Sequence, residues 1–304
     1  MNKAYLHKTI GSAFGARKVT NHDIQLKFPE WSAQQIQSKI GVNERYHVSG
    51  GQDAVSLAVN AAEDFFNKEI IPKSSIDYVV LVTSSPRYIT PSSSVLIQNE
   101  LKLSNSVGAI DINQGCSGFV YGLSVAKGLV LSGQARNILL LTSETYSKYI
   151  DSEDKSNLTI FGDAASCSLV TANPTNSRQI GEFMFGSDGS GYKEIIVDNN
   201  RFSMNGKAVF NFTAKRVVSD LGSFVNLDVY DGDFVFHQAN AFMLDYLRKK
   251  LKIDKSQFVV EMENFGNTVS SSIPLALPKS ENDNVVLAGF GVGLSWSFVK
   301  LFKP

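Results

Sequence analysis

The chain has 304 residues, a length that suits two domains or one large α/β domain. Hydrophobic residues make up 43% of it and charged residues 19%, below the usual quarter, which excludes disordered, collagen-like and coiled-coil proteins. The 29 basic and 29 acidic residues cancel, so no excess of positive charge is available to bind nucleic acid. No apolar run approaches the roughly 18 residues of a membrane-spanning helix, and the N-terminus lacks a signal-peptide core. We therefore expect a cytoplasmic protein that does not bind a membrane.

Strands and helices alternate along the chain, which predicts the α/β class. Runs rich in Val, Ile, Leu and Phe predict buried, mostly parallel strands at 78–83, 108–113, 137–142, 165–171, 234–237, 258–262, 284–289 and 295–301. Helical patterns lie at 52–66, 91–101, 117–131 and 238–251. The helix at 117–131 has one charged residue, Lys127, so we expect it in the middle of the molecule. Because the alternation runs through both parts, we predict two similar halves, 1–172 and 173–304.

Cys116 lies between a predicted strand and the predicted central helix. A thiol at a helix N-terminus is near unpaired N–H groups and the positive end of the helix dipole, and both favour the nucleophilic thiolate. The alternative is an ordinary buried cysteine, and the residues alone leave both open. Cys167, in the middle of a predicted strand, fits only the second description. In a reducing compartment we expect no disulfide between the two.

His237 and Asn267 each follow a predicted strand. Ligands bind at the carboxyl ends of parallel strands, so His237 is either a site residue or a structural histidine. Asn267 is able to donate to a developing oxyanion, although an asparagine after glycine is more often a turn residue. The glycine-rich segment 289–293 leads into a strand, which excludes a dinucleotide site but allows a turn with exposed N–H groups. No spacing of Cys or His indicates a metal site.

Four motifs in one order carry a resemblance to a known family. They are Gly115-Cys116-Ser117-Gly118-Phe119, His237-Gln238-Ala239-Asn240, Asn264-Phe265-Gly266-Asn267-Thr268 and Gly289-Phe290-Gly291-Val292-Gly293. Together with segments 41–45, 161–163 and 204–210 they resemble the β-ketoacyl-ACP synthase III family of the thiolase superfamily, over almost the whole chain. Thiolases proper use a second, late cysteine, and no Cys follows Cys167 here.

The resemblance implies a thiolase-like fold in five layers, αβαβα, a homodimer, and a triad of Cys116, His237 and Asn267. It implies that Cys116 takes an acyl group from a thioester while the backbone N–H groups of Cys116 and Val292 hold the oxyanion. Malonyl-ACP then loses carbon dioxide between His237 and Asn267, and its enolate attacks the acyl group, a step of fatty acid biosynthesis. The implied partners are acyl carrier protein and the acyl thioester, without a metal or redox cofactor.

The same resemblance assigns further positions to substrate binding: Thr90, Phe290, Lys39, Lys148 and Asn240. Gln35 and Lys148 stand where the family has a Trp and an Arg that sandwich the adenine of coenzyme A, although Trp31 is a possible substitute. Phe242 replaces a basic residue used for docking the carrier protein. These departures predict a specialised homologue that loads better from a carrier protein, docked on a set of basic residues: Lys207, Lys215, Arg216, Arg248 and Lys249.

Two other functions stay open at this point. The chain would be an acyltransferase if Cys116 passed its acyl group to an alcohol or amine, in a glycan, lipid or secondary-metabolite pathway. It would be a catalytically silent partner subunit if the cysteine were not used, but the intact triad argues against that.

Overall fold

The structure, a computed structural model, describes residues 3–304. Its strands are β1 (Tyr5–Phe14), β2 (Arg17–Thr20), β3 (Glu44–His47), β4 (Tyr78–Val82), β5 (Gly108–Ile112), β6 (Asn137–Glu144), β7 (Ala164–Thr171), β8 (Ser177–Ser187), β9 (Ile195–Asp198), β10 (Arg201–Met204), β11 (Asp233–Phe236), β12 (Phe258–Val259), β13 (Val285–Gly291) and β14 (Ser295–Phe302). Its α-helices are α1 (Asn21–Lys27), α2 (Ala33–Ile40), α3 (Ala54–Phe66), α4 (Ser93–Glu100), α5 (Gly118–Leu131), α6 (Lys155–Leu158), α7 (Gly206–Phe212), α8 (Val218–Phe224), α9 (Ala241–Lys250) and α10 (Ser272–Ala276).

Ten strands form one sheet in the order β12-β11-β13-β14-β8-β1-β7-β6-β4-β5. Read from either edge, the sheet repeats one arrangement: β5-β4-β6-β7-β1 in the N-terminal half and β12-β11-β13-β14-β8 in the C-terminal half. The two sets join where β1 pairs antiparallel with β8. The boundary expected after residue 172 falls in the connection between β7 and β8, which runs from Thr171 to Ser177.

The prediction of mostly parallel strands is wrong. Strands β4 and β11 run parallel to both of their neighbours. Every other pairing, from β6 through the centre of the sheet to β13, is antiparallel. A continuous apolar run indicates that both faces of a strand are buried. Here helices cover parallel and antiparallel strands alike, so such a run does not indicate how a strand is oriented relative to its neighbours.

Helices lie in three layers around the sheet. Helices α5 and α10 lie between the two halves of the sheet, where Phe119 and Ile273 are buried against Val80 and Val285. Helices α3 and α4 cover the outer face of the N-terminal half, and α8 and α9 cover that of the C-terminal half. The predicted five-layer αβαβα arrangement and the central position of α5 are therefore confirmed.

Two glycines bring α5 close to the sheet. A Cβ atom on Gly118 would clash with Val82 of β4, and one on Gly122 would lie 2.6 Å from a methyl group of Leu140 in β6. The close packing fixes the N-terminal end of α5, and with it Cys116, at the carboxyl ends of β4 and β5. No helix among residues 3–304 has the length and apolarity that crossing a bilayer requires.

Candidate active site

Cys116, His237 and Asn267 line one cavity of about 80 Å³ between the two halves of the chain. Cys116 lies in the segment after β5, His237 directly follows β11, and Asn267 lies in the segment after β12. Each of these strands belongs to a parallel pair, so the three residues meet where carboxyl ends of parallel strands converge. The rest of the wall is largely apolar and includes Tyr146, Ile160, Phe161, Ile195, Phe202, Met204, Val209, Met243, Phe290 and Val292.

The thiol of Cys116 is protonated at rest. Burial raises the pKa of Cys116 to about 12, and the nearby Glu144 adds to the rise. A hydrogen bond from the backbone of Val292 lowers the pKa, but by less than burial raises it. The shift is opposite in direction to the one expected for a thiol at a helix N-terminus, and burial is its largest cause.

The glycine-rich segment 289–293 approaches the nucleophile closely. A Cβ atom on Gly291 would lie 2.9 Å from both Cβ and Sγ of Cys116, and one on Gly289 would lie 2.7 Å from the Cα atom of Ser117. Glycine is needed at both positions because any side chain would fill the space of Cys116 or its backbone. The segment therefore presents backbone, including the Val292 N–H, directly to the thiol.

His237 and Asn267 form a pair beside the thiol. The Nδ2 atom of Asn267 lies 3.5 Å from Nε2 of His237, and the Oδ1 atom of Asn267 accepts a hydrogen bond of 2.9 Å from the Val269 backbone N–H. This second bond orients the amide so that its NH₂ group faces the imidazole. Burial lowers the pKa of His237 to about 3, so the ring is neutral at physiological pH. Phe290 packs edge-on against the imidazole at 5.7 Å between ring centres.

Glu144 is a buried carboxyl group near the thiol that the sequence reasoning missed. It ends β6 and accepts hydrogen bonds from the hydroxyl groups of Ser84, Ser85 and Ser270. Burial raises the pKa of Glu144 to about 8, and these hydrogen bonds offset only part of the rise. The available sequence signal was an acidic residue shortly after the apolar run 138–141, where an exposed loop would be expected to begin.

The residues assigned to substrate binding fall into two groups. Phe290, Asn240 and Val292 line the cavity. Thr90 is exposed on the loop after β4, and Lys148 is exposed in the turn after Tyr146, so neither lines the cavity. Their assignment, and that of Lys39, stays a prediction.

Lys39 lies on the surface with Trp31. Its Nζ atom is 5.8 Å from the centre of the Trp31 ring, and Nζ of Lys155 is 5.9 Å from the same ring. The cations beside this aromatic ring are thus Lys39 and Lys155 and not Lys148. Gln35 takes part in the capping box of α2, in which its side chain accepts a hydrogen bond from the Ser32 backbone.

Three of the five residues expected to dock a carrier protein have acidic partners in this chain. Arg216 pairs with Asp220, and both Arg248 and Lys249 pair with Asp245. Within residues 3–304, no group of three or more His, Cys, Asp or Glu side chains is arranged to hold a metal ion.

Comparison with known proteins identifies the family. The model of 3-oxoacyl-[acyl-carrier-protein (ACP)] synthase III matches residues 110–189, and the model of its C-terminal part matches residues 231–301. A β-ketoacyl-[acyl-carrier-protein] synthase III of Clostridium tetani is 31% identical over 313 residues, which cover 92% of each chain. The chain belongs to the β-ketoacyl-[acyl-carrier-protein] synthase III family. The resemblance found in the motifs is confirmed.

Further relatives within the synthase III family agree in sequence and in fold. A relative from Clostridium perfringens is 32% identical over 304 residues, covering 91% of this chain and 93% of its own length. A 3-oxoacyl-(acyl-carrier-protein) synthase III crystal structure superimposes with a TM-score of 0.93 at 38% identity, covering 98% of this chain and 99% of that one. The synthase III of Pseudomonas aeruginosa gives 0.90 at 28% identity, covering 99% and 98%. The thiolase-like fold is therefore confirmed as well.

Proposed function

We propose that the chain catalyses the condensation of an acyl thioester with malonyl-ACP, with loss of carbon dioxide, through an acyl group carried on Cys116. The observation that carries the proposal is the meeting of Cys116, His237 and Asn267 on one cavity. A thiol, an imidazole and a carboxamide in one apolar space supply a nucleophile and two groups able to stabilise a developing oxyanion.

The first half-reaction transfers the acyl group to Cys116. Its Sγ atom attacks the thioester carbonyl, and the carbonyl oxygen takes up negative charge at the backbone N–H groups of Cys116 and Val292. The contact of the Val292 backbone with the sulfur supports this placement. The glycines at 289 and 291 support it too, because they leave room for the carbonyl beside the thiol.

The second half-reaction forms the carbon–carbon bond. The thioester carbonyl of the malonyl group lies between His237 and Asn267, and the enolate left by decarboxylation is stabilised by hydrogen bonds from both. Both side chains are buried, so these hydrogen bonds act in a medium of low dielectric constant where they are strong. The enolate carbon then attacks the acyl carbon on Cys116.

We also propose that acyl carrier protein delivers the acyl group better than coenzyme A does, since Lys148 does not reach Trp31 and Gln35 is engaged in a helix cap. A homodimer is the proposed assembly. A cytoplasmic location and independence from metal and redox cofactors stay predictions. Transfer of the acyl group to an alcohol or amine is not favoured, because the relatives reported above are named synthases.

Mass spectrometry of the intact protein tests the proposal. The purified protein is mixed with acetyl-ACP or acetyl-CoA, and then with malonyl-ACP. We expect an acetyl adduct that forms faster from acetyl-ACP, is absent in Cys116→Ala and is retained in Cys167→Ala. Asn267→Ala should form the adduct but consume malonyl-ACP at least about 100-fold more slowly, the loss typical of one oxyanion donor.

Two outcomes would contradict the proposal. An adduct on Cys167 would remove Cys116 as the nucleophile. A wild-type protein that forms the adduct and never consumes malonyl-ACP would instead favour transfer to another acceptor.

A further inference from the structure

A larger cavity lies at the opposite ends of the strands from Cys116. Its volume is about 620 Å³, within the range of small-molecule sites. Strand β6 begins beside this cavity at Asn137 and ends at Glu144, near the thiol. A strand rises about 3.3 Å per residue, which puts the cavity roughly 23 Å from the thiol end of β6. A ligand in this cavity therefore binds apart from the reacting groups.

A β-bulge in β1 brings His7 to the wall of this cavity. The register between β1 and β7 shifts between Leu6 and Ile10. Residues 7–9 of β1 consequently lie opposite a single residue of β7, Leu169. Bulges bend a strand and redirect its side chains. The side chain of His7 is part of the wall, and only 6% of this residue is exposed.

His7 presents an N–H group to the cavity. Its Nδ1 atom accepts a hydrogen bond of 3.1 Å from the backbone N–H of Thr9. A ring nitrogen that accepts carries no hydrogen, so the hydrogen of the neutral ring is on Nε2. Burial lowers the pKa of His7 below its usual value, so the ring is neutral at pH 7. Within residues 3–304, Nε2 has no hydrogen-bond partner and keeps contact with solvent, so its N–H is free to bind a ligand.

Other polar groups of the wall are bonded to one another. Asn137 donates from Nδ2 to the Ser75 carbonyl at 3.0 Å, and its Oδ1 accepts from the Thr171 hydroxyl at 2.8 Å. Oγ1 of Thr171 accepts from the Asn173 backbone N–H at 3.1 Å. Oδ1 of Asn173 accepts from the Thr175 backbone N–H at 3.0 Å. Both carboxamide oxygens are thus occupied, and none of the residues that line the cavity is acidic.

Arg136 adds a positive charge to the wall. Its side chain is exposed, and within residues 3–304 it forms no salt bridge. The neighbouring carboxylate of Asp77 does not line the cavity, and it accepts from the backbone N–H groups of Arg136 and Asn137 at 2.7 and 2.9 Å. A guanidinium together with a free N–H group is a set of donors that binds a carboxylate.

We propose that this cavity binds a small organic acid, with its carboxylate on Arg136 and His7 and its carbon chain on the apolar part of the wall. That part consists of Ile70, Ile71, Pro72, Leu169 and Ala172. The guanidinium forms two parallel hydrogen bonds with the carboxylate, and the Nε2–H group of His7 provides a third donor. An inorganic anion has no carbon chain to cover the apolar residues, so it binds more weakly. The inference does not depend on the proposed function.

Nitrogen-15 NMR of the full-length protein labelled at histidine tests the proposal, with sodium hexanoate as the probe. His7→Gln and His237→Gln assign the ring signals, so one titration reports on this cavity and on the cavity of Cys116. We expect hexanoate to shift the His7 signals with a Kd on the order of 1 mM, as weak as is usual for so small a ligand. Hexanol keeps the carbon chain and phosphate keeps the charge, and each should bind at least about tenfold more weakly.

Arg136→Gln should weaken the binding of hexanoate at least about tenfold, the worth of a hydrogen bond to a charged group. Lys250→Gln is the matched control, because it removes one exposed positive charge at the end of α9, outside the cavity, and should bind as wild type does. Hexanoate that shifts only the His237 signals would overturn the proposal. Equal affinity for hexanol or phosphate, or wild-type affinity in Arg136→Gln, would overturn it too. If His7→Gln does not fold, calorimetry of Arg136→Gln against Lys250→Gln still decides.

Discussion

Cys116 and His237 are both neutral at rest, and the cause is the same for each: burial penalises the charged form. The pKa of Cys116 rises to about 12 and that of His237 falls to about 3. Both shifts disfavour an ion pair of thiolate and imidazolium, unlike in cysteine enzymes whose thiol pKa is lowered by a paired histidine.

The buried carboxyl group of Glu144 should make the stability of the protein depend on pH. Burial raises its pKa from 4.5 to about 8, so between these values the folded chain holds a proton that the unfolded chain has lost. Stability contributed by this group must then fall as the pH rises through that window. Glu144→Gln is neutral at every pH, so its melting temperature should fall less than that of wild type between about pH 5 and about pH 9.

The control for this prediction is Glu281→Gln, at an exposed position, which should follow the wild-type curve. Scanning calorimetry at several pH values provides the measurement. Parallel curves for wild type and Glu144→Gln would contradict the expectation.

At the level of single residues, the sequence was informative where chemistry depends on a local motif. Cys116, His237 and Asn267 each lie in a short recognisable segment, and the structure brings them to one cavity. Glu144 could not be selected in the same way. Its environment depends on contacts between distant segments, such as the hydrogen bond from Ser270 to Glu144 across 126 positions.

The C-terminal glycine segment provides a prediction for one element. In Gly291→Ala the new methyl group would lie 2.9 Å from Sγ of Cys116, so we expect acyl loading to fall at least about 100-fold, as for loss of an oxyanion donor. Gly128→Ala in α5 is the control, because no atom beyond the neighbouring residues and the backbone of its own helix lies within 4 Å of the added methyl group. Alanine there should stabilise the helix by about 0.5–1 kcal/mol and leave loading unchanged. Acyl loading is measured by mass spectrometry. Wild-type loading by Gly291→Ala would contradict the prediction and would show that segment 289–293 can shift to accommodate the methyl group.

The hairpin of β9 and β10 closes one side of the cavity. Phe202 of β10 packs edge-on against Tyr146 and Phe161, with ring centres 5.3 and 5.2 Å apart. These rings line the cavity of about 80 Å³ that contains Cys116.

Phe202→Ala should therefore accept longer acyl groups. In a competition between acetyl-ACP and octanoyl-ACP, wild type should carry mainly acetyl, and the variant should shift at least about tenfold toward octanoyl, since each buried CH₂ is worth about 0.8 kcal/mol. Phe224→Ala, which removes a ring that packs against Phe298 in another layer, should keep the wild-type ratio. The same ratio in wild type and Phe202→Ala would place the acyl chain elsewhere.

Strands formed by continuous apolar runs were predicted well, whereas strands that mix polar and apolar residues were not. Strands β4, β5, β6, β7, β13 and β14 lie within one to two residues of their predicted bounds, whereas β12 is shorter than expected. The sequence patterns did not predict strands β1 and β8, whose pairing joins the two halves of the sheet. Their sequences mix charged and polar residues with apolar ones, and their strand character arises from neighbours on both sides in the sheet.

At the scale of the whole molecule, β5 lies at an edge of the ten-stranded sheet and all five of its residues are half-buried. Ile89, on the loop after β4, is fully exposed. Edge strands and exposed apolar side chains are both features that proteins usually cover. We expect light scattering at micromolar concentration to give the mass of a homodimer.

Ile89→Glu should weaken that homodimer, because it places a charge on the proposed interface. Val229→Glu is the matched control, since Val229 is another exposed aliphatic residue, 75% accessible, in the other half of the chain. A monomeric wild type, or equal dissociation of the two variants, would contradict the proposed assembly.

The repeated strand order is the pattern that tandem duplication of a five-strand unit produces. Immediately after such a duplication the two copies are identical, so equivalent strands are followed by the same residue. These two residues lie on opposite sides of one cavity. Here β5 leads to Cys116, while its counterpart β12 leads to Asn267. In the proposed reaction, one half supplies the attacking atom and the other supplies His237 and Asn267, which stabilise charge. Because the proposed reaction needs residues from both halves, neither half could be deleted or carry out the reaction alone.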